Sequence, residues 1–271
     1  MLARQRRSAI LEIVRRTGGV RTSQLVDHLG VSDMTIRRDL DALADLGLLA
    51  KVRGGATVAE VRPADEPGFA AKSVRQRAEK AAIVAHAASL VQPGSAIALS
   101  GGTTTAGLAR LLVDVPGLTV VTNSLPVADV LYRAGRNRAT EQTIVLTGGV
   151  RTPSLALAGL VAEAVVAGLN VDVLFLGVHG MSPRTGFTTP NLAECGVNRL
   201  LVAAAHRLVV LADHTKWETV GIATVAALED ADVLITDEGI SDAAYVALAD
   251  RVGELVVVPA PGRGRRPPGP A

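Results

Sequence analysis

Residues 100 to 105 read Ser-Gly-Gly-Thr-Thr-Thr, set between an apolar run ending at Leu99 and a helical pattern, AGLARLL. Glycines let backbone N–H groups turn toward one point, and the first turn of a helix offers free N–H donors and the positive end of its dipole. Threonine hydroxyls add donors without adding charge. That order suits an anion, and a phosphate above all. The segment has neither a Walker lysine nor G-x-G-x-x-G spacing, which argues against a nucleotide loop. Polar residues also follow the other apolar runs: Thr122-Asn123-Ser124, Thr147-Gly148-Gly149, Gly177-Val178-His179-Gly180 and Asp213-His214-Thr215-Lys216. A further stretch, Gly186 to Asn191, carries Thr188 and Thr189 into a helix bearing Glu194. Asn123, Thr188 and Asn191 can each serve merely as a helix cap. Their joint occurrence after nearly every run points to a polar small-ligand pocket.

A second constellation lies near the N-terminus, in SDMTIRRDLDAL from Ser32 to Leu43. As a helix with Ile36 and Leu40 inward, it leaves Met34, Thr35, Arg37 and Arg38 on its other faces. A helix fits the major groove of DNA, where Arg37 or Arg38 can make paired hydrogen bonds to guanine. Ser32 and Thr35 suit phosphates or base edges, and Thr22, Ser23 and Asp33 are counted with this DNA-contacting set. Lys51 and Arg53 would lie against the backbone or minor groove. The competing reading is a solvated helix face with local ion pairs, such as Arg37 to Asp41.

The elements that must position these residues are legible in the pattern. Ile10, Leu11 and Val14 recur at helical spacing, and Thr17-Gly18-Gly19 stops that helix. Thr22 or Ser23 can cap a second helix with Leu25, Val26 and Leu29 inward, ended by Gly30. Ser32 caps the third. LLAKVRGGATVA then alternates and turns on Gly54-Gly55 as a hairpin does. Three short helices and a hairpin over residues 1–57 predict a winged helix-turn-helix. Residues 58–75 hold two prolines and mixed charge, predicting a linker with a short helix.

From 76 to 260 the apolar runs SAIAL, LTVVTN, QTIVLTGG, VDVLFLGV, RLVVLAD, ADVLITD and ELVVVP alternate with helical patterns. Nearly all-apolar strands alternating with helices predict an α/β domain whose mainly parallel sheet is covered on both faces. Ligands of such sheets bind at the carboxyl ends of the strands. The tail from 261 to 271, rich in Pro, Gly and Arg, is expected to be disordered. It can touch phosphates nonspecifically or stand as a solvated end.

Bulk composition agrees. Apolar residues make up 48% and charged residues 20% of 271, as in a globular chain, while aromatics are only 2%, so Ala, Val and Leu must fill the core. No apolar run approaches the ~20 residues of a membrane span, and the periodic N-terminus lacks a secretion signal's apolar block. A cytoplasmic protein is expected, and the lone Cys195 agrees with a reducing compartment. Residues 1–57 carry 10 Lys/Arg against 6 Asp/Glu, a net of +4, while residues 58–260 carry 15 against 20, a net of −5. A basic front on an acidic body puts the polyanion at the front.

VSDMTIRRDLDALADLGLLAKVRGGA resembles the DNA-binding end of the DeoR/GlpR family of bacterial transcription regulators through T-I-R-R-D-L, the leucines after it and the R-G-G-A wing. SGGTTT, VTNSLPVA, TGG, G-x-TTPN-x-x-E and AD-x-x-K resemble the effector-sensing domain of the same family, whose fold resembles ribose-5-phosphate isomerase. The resemblance implies that the body binds a phosphorylated sugar or sugar alcohol. Gly102, Thr103, Thr104 and Thr105 would take the phosphate, and Lys216 the phosphate or a hydroxyl. Thr188, Thr189, Asn191 and Glu194 would line the sugar, with Ser100, Asn123 and His179 beside them. Many members have Asp at the positions of Ser100 and His179, and the pattern favours lysine where this chain has Asn198. His179 can pair with a phosphate when protonated, or stand as a neutral loop residue.

An isomerase is the alternative, since isomerisation needs a placed base and an enediolate stabiliser, which Glu194 and Lys216 could nominally supply. Yet GVHGMSP carries no acid, no nucleophile–base–orienter set is visible, and five scattered histidines give no metal spacing. A sensor without cofactor is therefore expected: a regulator, more readily a repressor, acting as a dimer or tetramer on paired DNA half-sites. A nonspecific DNA binder would leave the acidic body without a role.

Overall fold

The computed structural model describes residues 2–45, 48–57, 68–135 and 141–260. These form two compact units, a smaller N-terminal one and a larger one after it. The first contains α1 (Ala3–Thr17), β1 (Gly19–Arg21), α2 (Thr22–Leu29), α3 (Asp33–Asp45), β2 (Ala50–Val52) and β3 (Gly55–Thr57). Gly18 ends α1 and Gly30 ends α2, both left-handed, with φ of 74° and 63°. Ile10, Val14, Leu25, Ile36, Leu40, Leu43, Leu49 and Ala56 close one core beneath the helices.

The wing is a three-stranded antiparallel sheet in the order β1-β3-β2 rather than a lone hairpin. Its central strand needs glycine at 55, where a Cβ would fall 2.2 Å from the Val20 carbonyl oxygen. The expected cap at Thr22 or Ser23 does not form. Because β1 runs straight into α2, the Thr22 N–H donates to the Gly54 carbonyl at 2.9 Å. Arg21 takes the cap position, its N–H bonded to the Gln24 side chain at 3.0 Å.

Next in the chain comes α4 (Phe69–Ser73), whose Ala70–Lys72 group with the first unit. The larger unit then runs α5 (Arg77–Ala88), β4 (Ala96–Leu99), α6 (Thr103–Leu111), β5 (Thr119–Thr122), α7 (Leu125–Gly135) and β6 (Thr143–Leu146). It continues with β7 (Val150–Arg151), β8 (Leu157–Ala158), α8 (Leu160–Val166), β9 (Val171–Gly177), β10 (Gly180–Ser182), β11 (Gly186–Thr189) and α9 (Leu192–Ala204). It closes with β12 (Ala205–Leu211), a 3-10 turn (His214–Lys216), β13 (Ala223–Ala226), β14 (Val233–Asp237), α10 (Asp242–Ala249) and β15 (Glu254–Val258).

The seven apolar runs build one parallel sheet in the order β15-β14-β12-β9-β4-β5-β6. Both faces are covered, as alternate residues of β4 show. Ile97 and Leu99 join a core with α5, α6 and α7, while Ala98 joins one with α8 and α9. From β4 the chain winds outward through β5 and β6, then returns to β4's other side with β9 and winds the opposite way. The carboxyl ends of β4 and β9 are thus the topological switch point, where ligands of such sheets bind.

Three elements lack a clear sequence signal. The segments around His179 and Thr188, which look like polar loops, form a second, antiparallel sheet, β10-β11-β13. Val150 to Ala158 forms the hairpin β7–β8, and α10 sits after β14. Among the described residues, no helix is long and apolar enough to cross a membrane. The linker segment 58–67 and the tail 261–271 lie outside the described residues.

Candidate functional site

In the N-terminal unit the DNA-contacting set gathers around α3. The Ser32 hydroxyl accepts from the Thr35 N–H at 3.3 Å and pairs with the Thr35 hydroxyl at 2.9 Å, closing the first turn. At 100° per residue, Met34, Arg38 and Asp41 fall away from the buried Ile36 and Leu40, while Asp33 and Arg37 lie beside that face toward one flank. All five are exposed, Met34 by 63%. The Arg37 Nε donates to Asp33 Oδ2 at 2.5 Å rather than to Asp41, and this hydrogen bond and charge push the guanidinium pKa further up. Asp41 instead accepts from Lys51 of the wing. Arg38 and the wing's Arg53 make no side-chain contact of this kind among the described residues. Ser23 is exposed on α2, and Thr22 is buried.

Asp39, the acid of the R-R-D triplet, faces inward at 2% exposure. It accepts from Arg6 Nε at 2.5 Å and Arg7 Nε at 2.8 Å, pinning α3 to α1. Burial alone would raise its pKa, but the hydrogen bonds and charges of the two arginines outweigh that and hold it below the usual carboxylate range.

In the larger unit the polar segments collect along the carboxyl edge of the sheet. Ser100 is buried, and its Oγ accepts from the Gly177 N–H at 2.9 Å, tying β4 to β9 across the switch point. Gly102 caps α6 with φ of 149°, and Thr105 Oγ1 donates to its carbonyl at 3.1 Å. Thr104 and Thr105 are buried, while Thr103 is half-buried. Lys80 of α5 donates through Nζ to Thr103 Oγ1 at 3.0 Å. An ammonium group thus stands at the N-terminal end of α6, where the helix dipole is already positive. No local spacing signals it, since Lys80 lies 23 residues upstream.

Asn123, following β5, is 1% exposed, and its Nδ2 donates to the Leu157 carbonyl at 3.4 Å. Its Oδ1 has no hydrogen-bond partner, and a Cβ on Gly101 would lie 3.8 Å from it. An orphaned acceptor against the glycine loop costs about 1–3 kcal/mol until a donor reaches it.

The β7–β8 hairpin packs on this loop, and the other segments are bonded among themselves. A Cβ on Gly101 would fall 2.7 Å from Ala156 of the β7–β8 hairpin, whose Thr152 and Ser154 hydroxyls donate to Glu194 Oε1. Asn191 caps α9, its Oδ1 accepting from the N–H groups of Ala193 at 3.0 Å and Glu194 at 3.1 Å. The buried Thr188 hydroxyl donates to the Gly180 carbonyl at 3.3 Å and accepts from the Gly221 N–H at 2.9 Å. Thr189 Oγ1 accepts from the Asn191 N–H at 3.4 Å. The half-buried His179 donates its N–H to the Thr188 carbonyl at 3.0 Å.

After β12, the Asp213 carboxylate accepts from both the N–H and the hydroxyl of Thr215. Lys216 is half-buried, and no side-chain partner meets its ammonium among the described residues. Asp237, at 0% exposure, accepts from His214 N–H at 2.8 Å and Gly239 N–H at 2.9 Å and pairs with His214 Nδ1 at 2.7 Å. The sequence shows Asp237 only as a strand end. The acids Glu194, Asp213 and Asp237 are thus each bonded within the protein, while the cations Lys80 and Lys216 and the orphaned Asn123 oxygen stand along the same edge.

A winged helix-turn-helix in one unit and a parallel α/β sheet with a polar, cation-bearing switch point in the other suit a transcriptional regulator. The family description "DeoR-like helix-turn-helix domain" matches residues 6–62, and "DeoR C terminal sensor domain" matches residues 75–238. The chain belongs to the DeoR family of helix-turn-helix transcriptional regulators. It is 37% identical to the regulator YgbI of Escherichia coli, over 95% of this chain and 98% of that protein. It is 32% identical to the transcriptional repressor AccR of Agrobacterium fabrum, over 86% of this chain and 89% of that one. It is also similar to the structure of ribose-5-phosphate isomerase A from Methanocaldococcus jannaschii, at 18% identity, a TM-score of 0.38, and 52% and 54% of the two chains.

Proposed function

We propose that this regulator is a repressor whose hold on paired operator half-sites is set by a phosphorylated sugar or sugar alcohol bound at the carboxyl edge of the seven-stranded sheet. The observation that carries the reading is the convergence of Lys80, the first turn of α6 and the orphaned Asn123 Oδ1 on one glycine loop. The phosphate takes the N–H groups after Gly102, the Thr103 hydroxyl and the Lys80 ammonium. A sugar hydroxyl donates to Asn123, and Lys216 meets the far end of the ligand. Glu194 acts through the hairpin it holds, and Thr188, Thr189 and Asn191 fix the loops that shape the rim. The effector is bound and not converted: the acids Glu194, Asp213 and Asp237 of this edge are each already bonded within the protein. Residues 1–57, 58–75, 76–260 and 261–271 are its head, linker, sensor and tail. It works in the cytoplasm as a symmetric oligomer, with the linker carrying the sensor's state to the heads.

Trp217, the single tryptophan, is half-buried beside Lys216 and packs on the sensor core, so its fluorescence reports on this edge. Titration with sugar phosphates and with the parent sugars should give a saturable change for the phosphorylated compounds alone. Silence across the panel together with an unchanged melting temperature removes the phosphate site.

A further inference from the structure

We propose that Asp33 and Arg37 form one base-reading unit on α3, in which the carboxylate holds the guanidinium by one edge so that the opposite edge reads a guanine of the operator. The inference rests on the DNA-reading role of α3 proposed above and names what that helix recognises. A guanidinium carries five N–H donors in a fixed planar fork. Asp33 Oδ2 takes the Nε–H at 2.5 Å, and Oδ1 lies 3.5 Å from Nη2, so the carboxylate occupies the Nε–Nη2 edge. The two N–H groups of Nη1 and the second of Nη2 remain, and their spacing matches N7 and O6 of guanine in the major groove.

Further observations separate this pair from its neighbours. Asp33 and Arg37 are four residues apart on one rigid helix, and Asp39 pins that helix to α1, so the fork's direction is fixed by the fold. Arg38 has no such buttress and is free to follow a phosphate, as is Arg53. The other acid on this face, Asp41, is neutralised by Lys51. Met34, 63% exposed between Asp33 and Arg37 in sequence, offers an apolar contact for a thymine methyl beside the guanine.

The bland reading makes the pair an ordinary surface ion pair worth a few tenths of a kcal/mol. On that reading Asp33 only repels DNA. The two readings differ in sign. The test uses the full chain and a randomised duplex library, with wild type, Asp33→Ala, Asp33→Asn and Arg37→Ala selected in parallel. Affinities for the selected duplexes and their guanine replacements are then measured at one salt concentration.

The wild type should demand guanine at one position of each half-site. Asp33→Ala should lose that preference by about tenfold or more while keeping its preferences elsewhere and its affinity for random DNA. Asp33→Asn should keep most of it, since an amide oxygen still accepts from Nε. Arg37→Ala should lose the same position, and adding Asp33→Ala to it should cost nothing more there. The proposal is overturned when Asp33→Ala binds every duplex more tightly with its base preferences unchanged. A wild-type chain that selects no sequence overturns the DNA-reading role and this inference with it. Melting curves, expected to be unchanged at these exposed positions, separate both outcomes from misfolding.

Discussion

On the exposed side of α3 and on the wing the side chains are held loosely or not at all. Arg38, Arg53 and Met34 stand in solvent, and Arg37 and Lys51 meet only exposed carboxylates. Along the carboxyl edge of the sensor the reverse holds. Ser100, Thr105, Thr188 and Asn191 have already spent hydroxyl or amide groups on the protein, most of them out of reach of water. The difference follows from the partners. A duplex is a long polyanion met over a broad surface, where charge and a few base contacts suffice. A small ligand must be met by groups fixed beforehand, or the cost of ordering them erodes its affinity. In a rim so largely bonded, the Lys216 ammonium and Asn123 Oδ1 lack protein partners among the described residues, as the proposed ligand site requires.

The sharpest break in the comparison comes from the one buried charge of the head. Asp39→Ala leaves Arg6 and Arg7 facing an empty, half-dry site and should cost the head about 3 kcal/mol. Thermal unfolding should show the head's transition fall while the sensor's stays in place. The same carboxylate gives the head a pH dependence. Its folded pKa is depressed, so its stabilisation is full above the unfolded value of about 4 and is lost as pH falls through the lower folded value. Asp39→Asn should flatten that acid limb.

Lys80→Ala tests the sensor side with a smaller effect. Losing a charge-assisted bond of about 2 kcal/mol should weaken phosphorylated ligands roughly thirtyfold. Unphosphorylated sugars should be untouched in the same titration. Next comes Thr188→Val, which orphans the Gly221 N–H and should cost the sensor about 1–2 kcal/mol, read as a lower sensor melting temperature with the head's DNA affinity intact. Smallest is Arg38→Ala. It should lower the slope of log affinity against log salt by about 0.9 without changing base preference, whereas Arg37→Ala changes the preference.

Much of the architecture is written locally. Each of the seven runs of Val, Leu and Ile became a strand of the large sheet, because a strand buried on both faces must be apolar throughout. The small sheet escaped because Gly180–Ser182 and Gly186–Thr189 are short and polar and are held by β13 some 37 residues further on. The candidate site was legible wherever polar residues directly follow a strand, as at Ser100, Asn123 and Asp213. It was illegible where two distant segments meet: Lys80 with Thr103, Thr152 and Ser154 with Glu194, and His214 with Asp237. Asp39 shows the same limit inside a motif. Its neighbours Arg37 and Arg38 point outward, and only the packing of α1 reveals that it points in.

One titration joins the two regions directly. The full chain, bound to a labelled duplex selected from the random library, is titrated at fixed salt with a sugar phosphate that shifts Trp217 fluorescence and with its unphosphorylated parent. The phosphorylated ligand should change DNA affinity by roughly 5- to 150-fold, and DNA should change the ligand's affinity by the same factor, as linkage requires. A sugar phosphate that saturates the sensor while leaving DNA affinity unchanged would contradict the account.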